Sequence, residues 1–304
     1  MPSKQACIAP SHSLNITSLR NEEFSSLVAK AEKLKKMIKN DDTAALEATH
    51  EKIMGKLVAL LFSKRSTRTR ISSESKDDIQ LGTNECIQDT TRVISSITSC
   101  VFARVNRHQD IQDLCKYSRV SIINSLCDKY HSLQAITDIM SIKEAFGHTE
   151  GLRLAWFSDA NNVLKDLCIA ASKSGVSVSV LVPHGITVDA YVVAAARKLV
   201  SEKNTLAFEV LKSPTDALKN ANVVITDNFF YGRREPSSRH IEAVCWVQAM
   251  LKEGGVHENW HFMHYLPRCP EESDRSIVFE EAENRLYAAM AVLEAFVVCK
   301  GDLM

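Results

Sequence analysis

Short apolar runs alternate with longer amphipathic stretches along the first half of the chain. The runs are rich in β-branched residues, whereas the longer stretches carry apolar residues at helical spacing. The alternation predicts strands at 57–62, 100–105 and 120–126 and helices at 83–99 and 130–146. Gly147 is expected to stop the last of these helices, because glycine readily adopts the left-handed conformation found at helix ends.

The same alternation restarts at residue 151. It predicts strands at 151–157, 176–182 and 206–211, helices at 161–175 and 189–202, and a closing helix at 280–299. Strands that are apolar on both faces and separated by helices indicate parallel sheets covered on both sides. The predicted fold is therefore α/β, with two doubly wound parallel-sheet lobes (1–148 and 149–304), helices on both faces of each sheet and a cleft between the lobes. We expect the closing helix to pack back on the first lobe.

Composition narrows the classes of function. The 304 residues include 37 basic and 37 acidic side chains, so no net field attracts nucleic acid or an anionic membrane. Nine cysteines, an odd number without a Cys-x-x-Cys pair, indicate reduced thiols. No apolar run reaches the length of a bilayer span, and a secretory signal is not apparent. Only Lys4 and Arg20 are basic before Glu22, so a cytoplasmic location is favoured over the alternative, the mitochondrial matrix.

A run of cations and hydroxyls follows the first predicted strand. Ser66, Thr67, Arg68 and Thr69 lie where a parallel strand would lead into its helix. Such a position offers free backbone N–H groups, and the hydroxyls and the guanidinium add donors that suit a phosphate group. A solvated basic helix face is the alternative, and the interleaved hydroxyls favour the phosphate site.

Seven motifs resemble, in the same order, the aspartate and ornithine carbamoyltransferase family, and most closely the ornithine branch of fungi. They are "KRSTRTR" (64–70), "FARV" (102–105), "YHSLQAITD" (130–138), "DANNV" (159–163), "VVITD" (223–227), "FMHYLPR" (262–268) and "EEAENRLYAAM" (280–290). The resemblance implies transfer of a carbamoyl group from carbamoyl phosphate to the δ-amine of ornithine, giving citrulline and phosphate, as in arginine biosynthesis. It also implies a homotrimer with active sites between subunits, and neither a metal nor a redox cofactor.

The resemblance assigns roles around the carbamoyl group. Arg104, at the end of a predicted strand, matches the arginine that holds the carbamoyl oxygen and the phosphate. His131 and Gln134, three residues apart on a predicted helix, are expected to hydrogen-bond the carbamoyl oxygen and nitrogen. Arg285, near the start of the closing helix, matches an arginine that helps to stabilise the transition state. Taken alone, these side chains would be two surface arginines and a histidine at a helix start.

The second lobe is expected to bind ornithine. Asn162 opens its first predicted helix, where the carboxamide could pair with an amino-acid substrate. Asp227 ends the predicted strand "VVIT" (223–226), where its carboxylate could orient an ammonium group, and a capping role is an equal alternative. Asp159 is expected only to cap the helix that follows it.

The segment 264–267 carries both matches to the family and departures from it. His264, Leu266 and Pro267 match a loop that shapes the pocket around the reacting amine, with a cis Leu–Pro bond in the family. Tyr265 stands where the family pattern has cysteine, and a large phenol beside the amine pocket predicts weak binding of ornithine. Ser132 replaces the proline that follows the histidine in the family.

Three segments are shorter than, or differ from, the family pattern. At 75–77 the family usually has a longer piece, the end of the phosphate-site helix and a strand, which this chain lacks. "NFFYGRREP" (228–236) stands in place of an ornithine-binding loop, and "PEESDRSIVF" (270–279) is shorter than its counterpart. A mis-spliced gene model or a divergent homologue would explain them. The functional hypotheses are therefore a working ornithine carbamoyltransferase, an impaired homologue that binds carbamoyl phosphate or a partner, and a transcarbamylase for another amine.

Overall fold

Two parallel sheets organise the chain. The computed structural model describes residues 12–63, 86–202, 206–227, 251, 255–265 and 275–303. In the described part, the first sheet has the order β1 (Val58–Phe62), β2 (Cys100–Arg104) and β3 (Ser121–Leu126), all parallel. The helices around it are α1 (Asn21–Lys39), α2 (Thr43–Ile53), α3 (Ile87–Ile97), α4 (His108–Tyr117) and α5 (Ser132–Phe146).

The second sheet reverses its strand order about β4. Its strands are β4 (Arg153–Phe157), β5 (Ser177–Leu181), β6 (Phe208–Leu211), β7 (Val223–Thr226) and β8 (His261–His264), paired in the order β6-β5-β4-β7-β8. The helices that follow are α6 (Asn162–Lys173), α7 (Ala190–Ser201), α8 (Pro214–Leu218) and α9 (Val278–Leu293). The order reverses between β4 and β7, which opens a crevice at the C-terminal ends of these strands, where doubly wound folds bind ligands.

Helix α5 is the central element of the core. Residues 132–142 of this helix are all buried, because it packs against α1, α6 and α9 as well as against β3. Gly147 ends it in the left-handed conformation, with φ of 79°, as the sequence predicts. The predicted α/β class with two helix-covered parallel sheets is confirmed. Among the described helices, none combines the length and apolar character that a bilayer crossing requires.

Several element boundaries differ from the prediction. The helix predicted at 130–146 begins at Ser132, because His131 has an extended φ of −141° and forms the cap. The closing helix predicted at 280–299 begins at Val278, whose apolar side chain is buried, and ends as an α-helix at Leu293. A π-helical turn at Glu294–Val298 follows it. Helix α9 packs on α1 and α5.

Candidate functional site

The first sheet presents its candidate residues at the C-terminal ends of its strands. Arg104 is the last residue of β2, and His131 follows the end of β3 and caps α5. The backbone N–H of Ser63, just beyond β1, donates to the carbonyl of Arg104 at 3.0 Å. The predicted phosphate residues Ser66, Thr67, Arg68 and Thr69 come directly after this point in the chain and lie outside the described residues, as does Leu266.

One guanidinium joins two of the predicted carbamoyl-binding residues. Arg285 on α9 donates to Oε1 of Gln134, and its second amino group lies 3.1 Å from Nε2 of His131. A guanidinium can only donate, so Nε2 of His131 must accept and the imidazole is neutral in this arrangement. Arg285 lies in the middle of α9, where the packing of α9 on α5 directs it at His131 and Gln134.

Two carboxylates fix the orientation of the Gln134 amide. Nε2 of Gln134 donates to Asp138 at 2.8 Å and to Glu281 at 2.7 Å, which turns Oε1 toward Arg285. Burial raises the pKa of Asp138, while the hydrogen bonds from Gln134 and from the hydroxyl of Tyr265 lower it. The sequence interpretation missed both carboxylates. Asp138 lies four residues after Gln134 and Glu281 lies four before Arg285, so helical spacing alone could have pointed to them.

The crevice of the second sheet contains a pair of carboxylates. The pKa of Asp159 is raised by burial and by the nearby charge of Asp227, which directly follows β7. Nδ2 of Asn161 donates to Asp227 at 2.7 Å, while Oδ1 of the same side chain caps the start of α6. The expectation that Asp159 caps this helix is therefore wrong, since Asn161 accepts from the N–H groups there. Two adjacent carboxylates favour a cationic ligand.

Asn162 connects the two sheets. It is the first residue of α6, and its Nδ2 donates to the carbonyl of Cys127, just beyond β3, at 2.6 Å. The carboxamide predicted to bind substrate therefore reaches the strand end that leads to His131. Asn162 and His131 are thus brought to the same end of the molecule.

A buried carboxylate on α6 ties three segments together. Asp166, 1% exposed, accepts from the backbone N–H of Ile16 at 3.0 Å, from that of His131 at 2.8 Å and from the hydroxyl of Ser132 at 3.1 Å. Ser132, which replaces the proline of the family pattern, supplies one of these donors. Burial raises the pKa of Asp166 to about 7, although each of the three hydrogen bonds lowers it. The sequence interpretation did not identify Asp166, because its donors are distant in the chain.

The raised pKa of Asp166 predicts a pH-dependent stability. Unfolded, this carboxyl titrates near 4, so between about pH 4 and 7 the folded state binds more protons than the unfolded state. Its contribution therefore lowers the free energy of unfolding as pH rises across this window, by up to about 4 kcal/mol at about 1.4 kcal/mol per unit. We expect urea unfolding of Asp166→Asn to show a flatter pH profile than the wild type.

The partly exposed carboxylate Asp113, which accepts from Gln109 on the same helix α4, gives the matched control. Asp113→Asn should keep the wild-type slope between pH 4 and 7. If Asp166→Asn kept the same slope as the wild type and Asp113→Asn, the raised pKa of Asp166 would be contradicted.

Strand ends of two parallel sheets bring the candidate residues together, which is where α/β proteins bind ligands, and comparison with known proteins identifies the family. A family model described as the aspartate/ornithine carbamoyltransferase carbamoyl-P binding domain matches residues 11–144. A second model, described as the Asp/Orn binding domain of the same family, matches residues 150–296. The chain belongs to the aspartate/ornithine carbamoyltransferase family, as its motifs predict.

Fungal proteins are among its relatives. The mitochondrial ornithine transcarbamylase of Pachysolen tannophilus is 47% identical over 321 residues, which cover 97% of this chain and 91% of that protein. The ornithine carbamoyltransferase of Saccharomyces cerevisiae is 44% identical, with 96% of this chain and 95% of that protein covered. A crystal structure of a mitochondrial ornithine carbamoyltransferase from Coccidioides immitis superposes with a TM-score of 0.85 at 43% identity, covering 97% of this chain and 100% of that one.

The lengths of these alignments bear on the shortened segments. The alignment to the Pachysolen protein spans 321 residues, more than the 304 residues of this chain, so that relative carries residues without a counterpart here. The segments 75–77 and 228–236 lie outside the described residues, as do residues 270–274 of the third segment. The lobe boundary at 148/149 stays a prediction.

Proposed function

We propose that this chain is an ornithine carbamoyltransferase that converts carbamoyl phosphate and L-ornithine into L-citrulline and phosphate in arginine biosynthesis. The observation that carries the proposal is the contact of Arg285 with both Gln134 and His131. The family resemblance assigns these three side chains to the carbamoyl group, although they come from two distant parts of the chain. The fungal relatives named for this activity support the same conclusion.

The chemistry requires a neutral amine, a polarised carbonyl and a stabilised leaving group. The amine nitrogen attacks the carbonyl carbon, a C–N bond forms, and the C–O bond to phosphate breaks with its electron pair leaving on phosphate. The surplus proton of the amine is released to the departing phosphate or to solvent. Arg104 and Arg285 supply fixed positive charge as the oxyanion and the phosphate form, and His131 and Gln134 position the carbamoyl group.

Arg285 contacts both Gln134 and His131, and we call these three side chains the carbamoyl cluster. The carbonyl oxygen of carbamoyl phosphate would accept from Arg285 in place of one of these two partners. Because the helices that carry them are packed together, the groups need little reorganisation, which is the condition for effective electrostatic stabilisation.

The carboxylate pair at the second sheet suits the other substrate. Asp159 and Asp227 favour a cation, and ornithine brings an ammonium group into this crevice. Asn161 holds Asp227 from one side, and we assign Asn162 and Tyr265 to the wall of the ornithine pocket, with Leu266 following in the chain. The small molecules carbamoyl phosphate and L-ornithine are thus the proposed partners.

Assembly and location follow from the family and its members. We propose a homotrimer, which sedimentation of the purified chain would test. The relatives from Pachysolen tannophilus and Coccidioides immitis are named mitochondrial, which favours the matrix over the cytoplasm that composition alone suggests. Microscopy of the tagged chain beside a matrix marker would decide between these compartments.

A direct assay tests the proposed activity. Purified chain with carbamoyl phosphate and ornithine should form citrulline in proportion to enzyme, and Asp227→Asn should reduce turnover. Absence of citrulline above background would overturn the proposal and leave a homologue that only binds carbamoyl phosphate or a partner. Because Tyr265 departs from the family pattern, a panel of other amines belongs in the same assay, and a better acceptor than ornithine would support the third hypothesis.

Arg68→Ala tests the phosphate site. A bidentate guanidinium–phosphate contact is worth roughly 1.5–3 kcal/mol, so affinity for carbamoyl phosphate should fall by about 10- to 100-fold in calorimetry. Arg119→Ala, which removes an exposed arginine just before β3 at the opposite edge of the first sheet, is the control and should bind normally. Unchanged affinity in folded Arg68→Ala would refute the assignment.

A further inference from the structure

A buried chain of hydrogen bonds leads from the loop after β8 to the carbamoyl cluster. The hydroxyl of Tyr265 donates to Oδ2 of Asp138 at 2.9 Å, and Oδ1 of Asp138 accepts from Gln134 at 2.8 Å. Gln134 in turn accepts from Arg285, which lies against His131. Tyr265 therefore reaches the catalytic groups through two intermediate side chains.

The phenol is held at both ends. Tyr265 is 8% exposed, and its ring centroid lies 6.1 Å from that of the fully buried Trp156, with the ring planes tilted by 37°. The hydroxyl points toward α5 and donates a hydrogen bond to Asp138. A phenylalanine could keep the packing of this ring, so the contribution of the hydroxyl can be separated from that of the ring.

The hydroxyl matters because Asp138 is buried. A carboxylate without exposure to water needs donors to remain charged, and Asp138 receives one from Gln134 and one from Tyr265. Loss of the tyrosine donor favours the protonated carboxyl, which accepts more weakly from Gln134. The amide of Gln134 is then held only by Glu281, and its oxygen is less firmly directed at Arg285.

We propose that Tyr265 is a positioning residue for carbamoyl transfer, which fixes Asp138 so that Gln134 presents its oxygen to Arg285. The inference deepens the proposed carbamoyltransferase function and rests on it. The groups facing Asp138 are Tyr265 from the β8 loop, Gln134 from its own helix and the charge of Arg285 from α9. Glu281, also on α9, is a second carboxylate that accepts from the same amide nitrogen of Gln134.

The test is Tyr265→Phe with Tyr287→Phe as the matched control. Tyr287 is also buried, and its hydroxyl donates to the exposed Glu283 one turn earlier on α9, so it takes no part in the hydrogen bonds from Tyr265 to Arg285. Tyr265→Phe should lower kcat roughly tenfold, the equivalent of one charge-assisted hydrogen bond, with KM for carbamoyl phosphate nearly unchanged. The acid limb of its pH–kcat profile should move to higher pH, because Asp138 has lost a donor to its charged form. Tyr287→Phe should change neither.

Two further measurements decide the outcome if turnover alone does not. In a double-mutant cycle, Tyr265→Phe should cost much less in an Asp138→Asn background, since both changes break the same chain. The imidazole nitrogen signals of His131 should shift in Tyr265→Phe and stay in place in Tyr287→Phe, a readout that needs no turnover. An inactive wild type would overturn the proposed function, while unchanged His131 signals would overturn the positioning role.

Tyr265→Cys separates positioning from simple filling of the amine pocket. A positioning role predicts that this variant loses citrulline formation, because the donor to Asp138 is gone. A phenol that only blocks ornithine predicts a gain. A gain in Tyr265→Cys, or full additivity in the double-mutant cycle, would refute the proposal.

Discussion

Replacing Arg285 with lysine is expected to lower kcat by about 10²–10³-fold while the protein stays folded. The guanidinium reaches Gln134 and His131 at once, and a lysine offers a single ammonium without this planar fork. Loss of one fixed donor to a developing oxyanion typically has an effect of this size. Steady-state kinetics with each substrate varied in turn, alongside thermal unfolding, measure the result.

A matched control lies at the opposite edge of the second sheet. Arg153 begins β4, where its guanidinium pairs with Glu209 at 2.8 Å. Arg153→Lys removes the same fork far from the strand ends that form the site, so kcat should stay within about twofold of the wild type. If Arg285→Lys raised only KM for ornithine and left kcat intact, Arg285 would belong to substrate binding and not to the transition state.

The positions of the main candidate residues could be predicted from chain order alone. Arg104 and Asp227 end or follow strands, and His131 comes soon after one, so a parallel sheet places each of them at its C-terminal edge. The contact of Arg285 with His131 could not be derived in this way. It depends on how α9 packs against α5. Residue spacing within either helix does not predict this packing.

The groups that support the site were missed for a related reason. Asp138 and Glu281 look like ordinary helix carboxylates in the sequence, and only burial between α5 and α9 makes them partners of one amide. Asn161 was not predicted, because Asp159 and Asn161 are both residue types that cap helices and the sequence does not show which of them does. The capping residue proved to be the one that also holds Asp227.

The departures from the family acquire physical roles in the structure. Ser132 has a hydroxyl where the family has proline, and this hydroxyl donates to a buried carboxylate. Tyr265 has a hydroxyl where the family has cysteine, and it also donates to a buried carboxylate. In both cases the substituted residue satisfies an acceptor in the core, so each substitution fits its surroundings as a folded part of the protein.

Removal of the Asp166 carboxylate should destabilise the chain by about 2–4 kcal/mol. Asp166→Ala leaves the buried N–H groups of Ile16 and His131 without an acceptor, and each such loss costs about 1–3 kcal/mol. The relief of a buried charge offsets part of this cost at high pH. The destabilisation should therefore be larger at pH 5 than at pH 8, where the wild type already bears the charged carboxylate. Urea unfolding at both pH values measures it.

The same substitution should reach the active site through the backbone. His131 donates its N–H to Asp166 at 2.8 Å, and its imidazole faces Arg285. Hydrogen exchange of the His131 amide should therefore accelerate in Asp166→Ala, and kcat should fall even in the fraction that remains folded. Asp113→Ala on the surface of α4 serves as the control and should change neither the exchange rate nor kcat. If Asp166→Ala lost the same stability at both pH values, burial would not be raising the pKa of this carboxyl. An unchanged exchange rate at His131 would show that the hydrogen bond does not hold the start of α5.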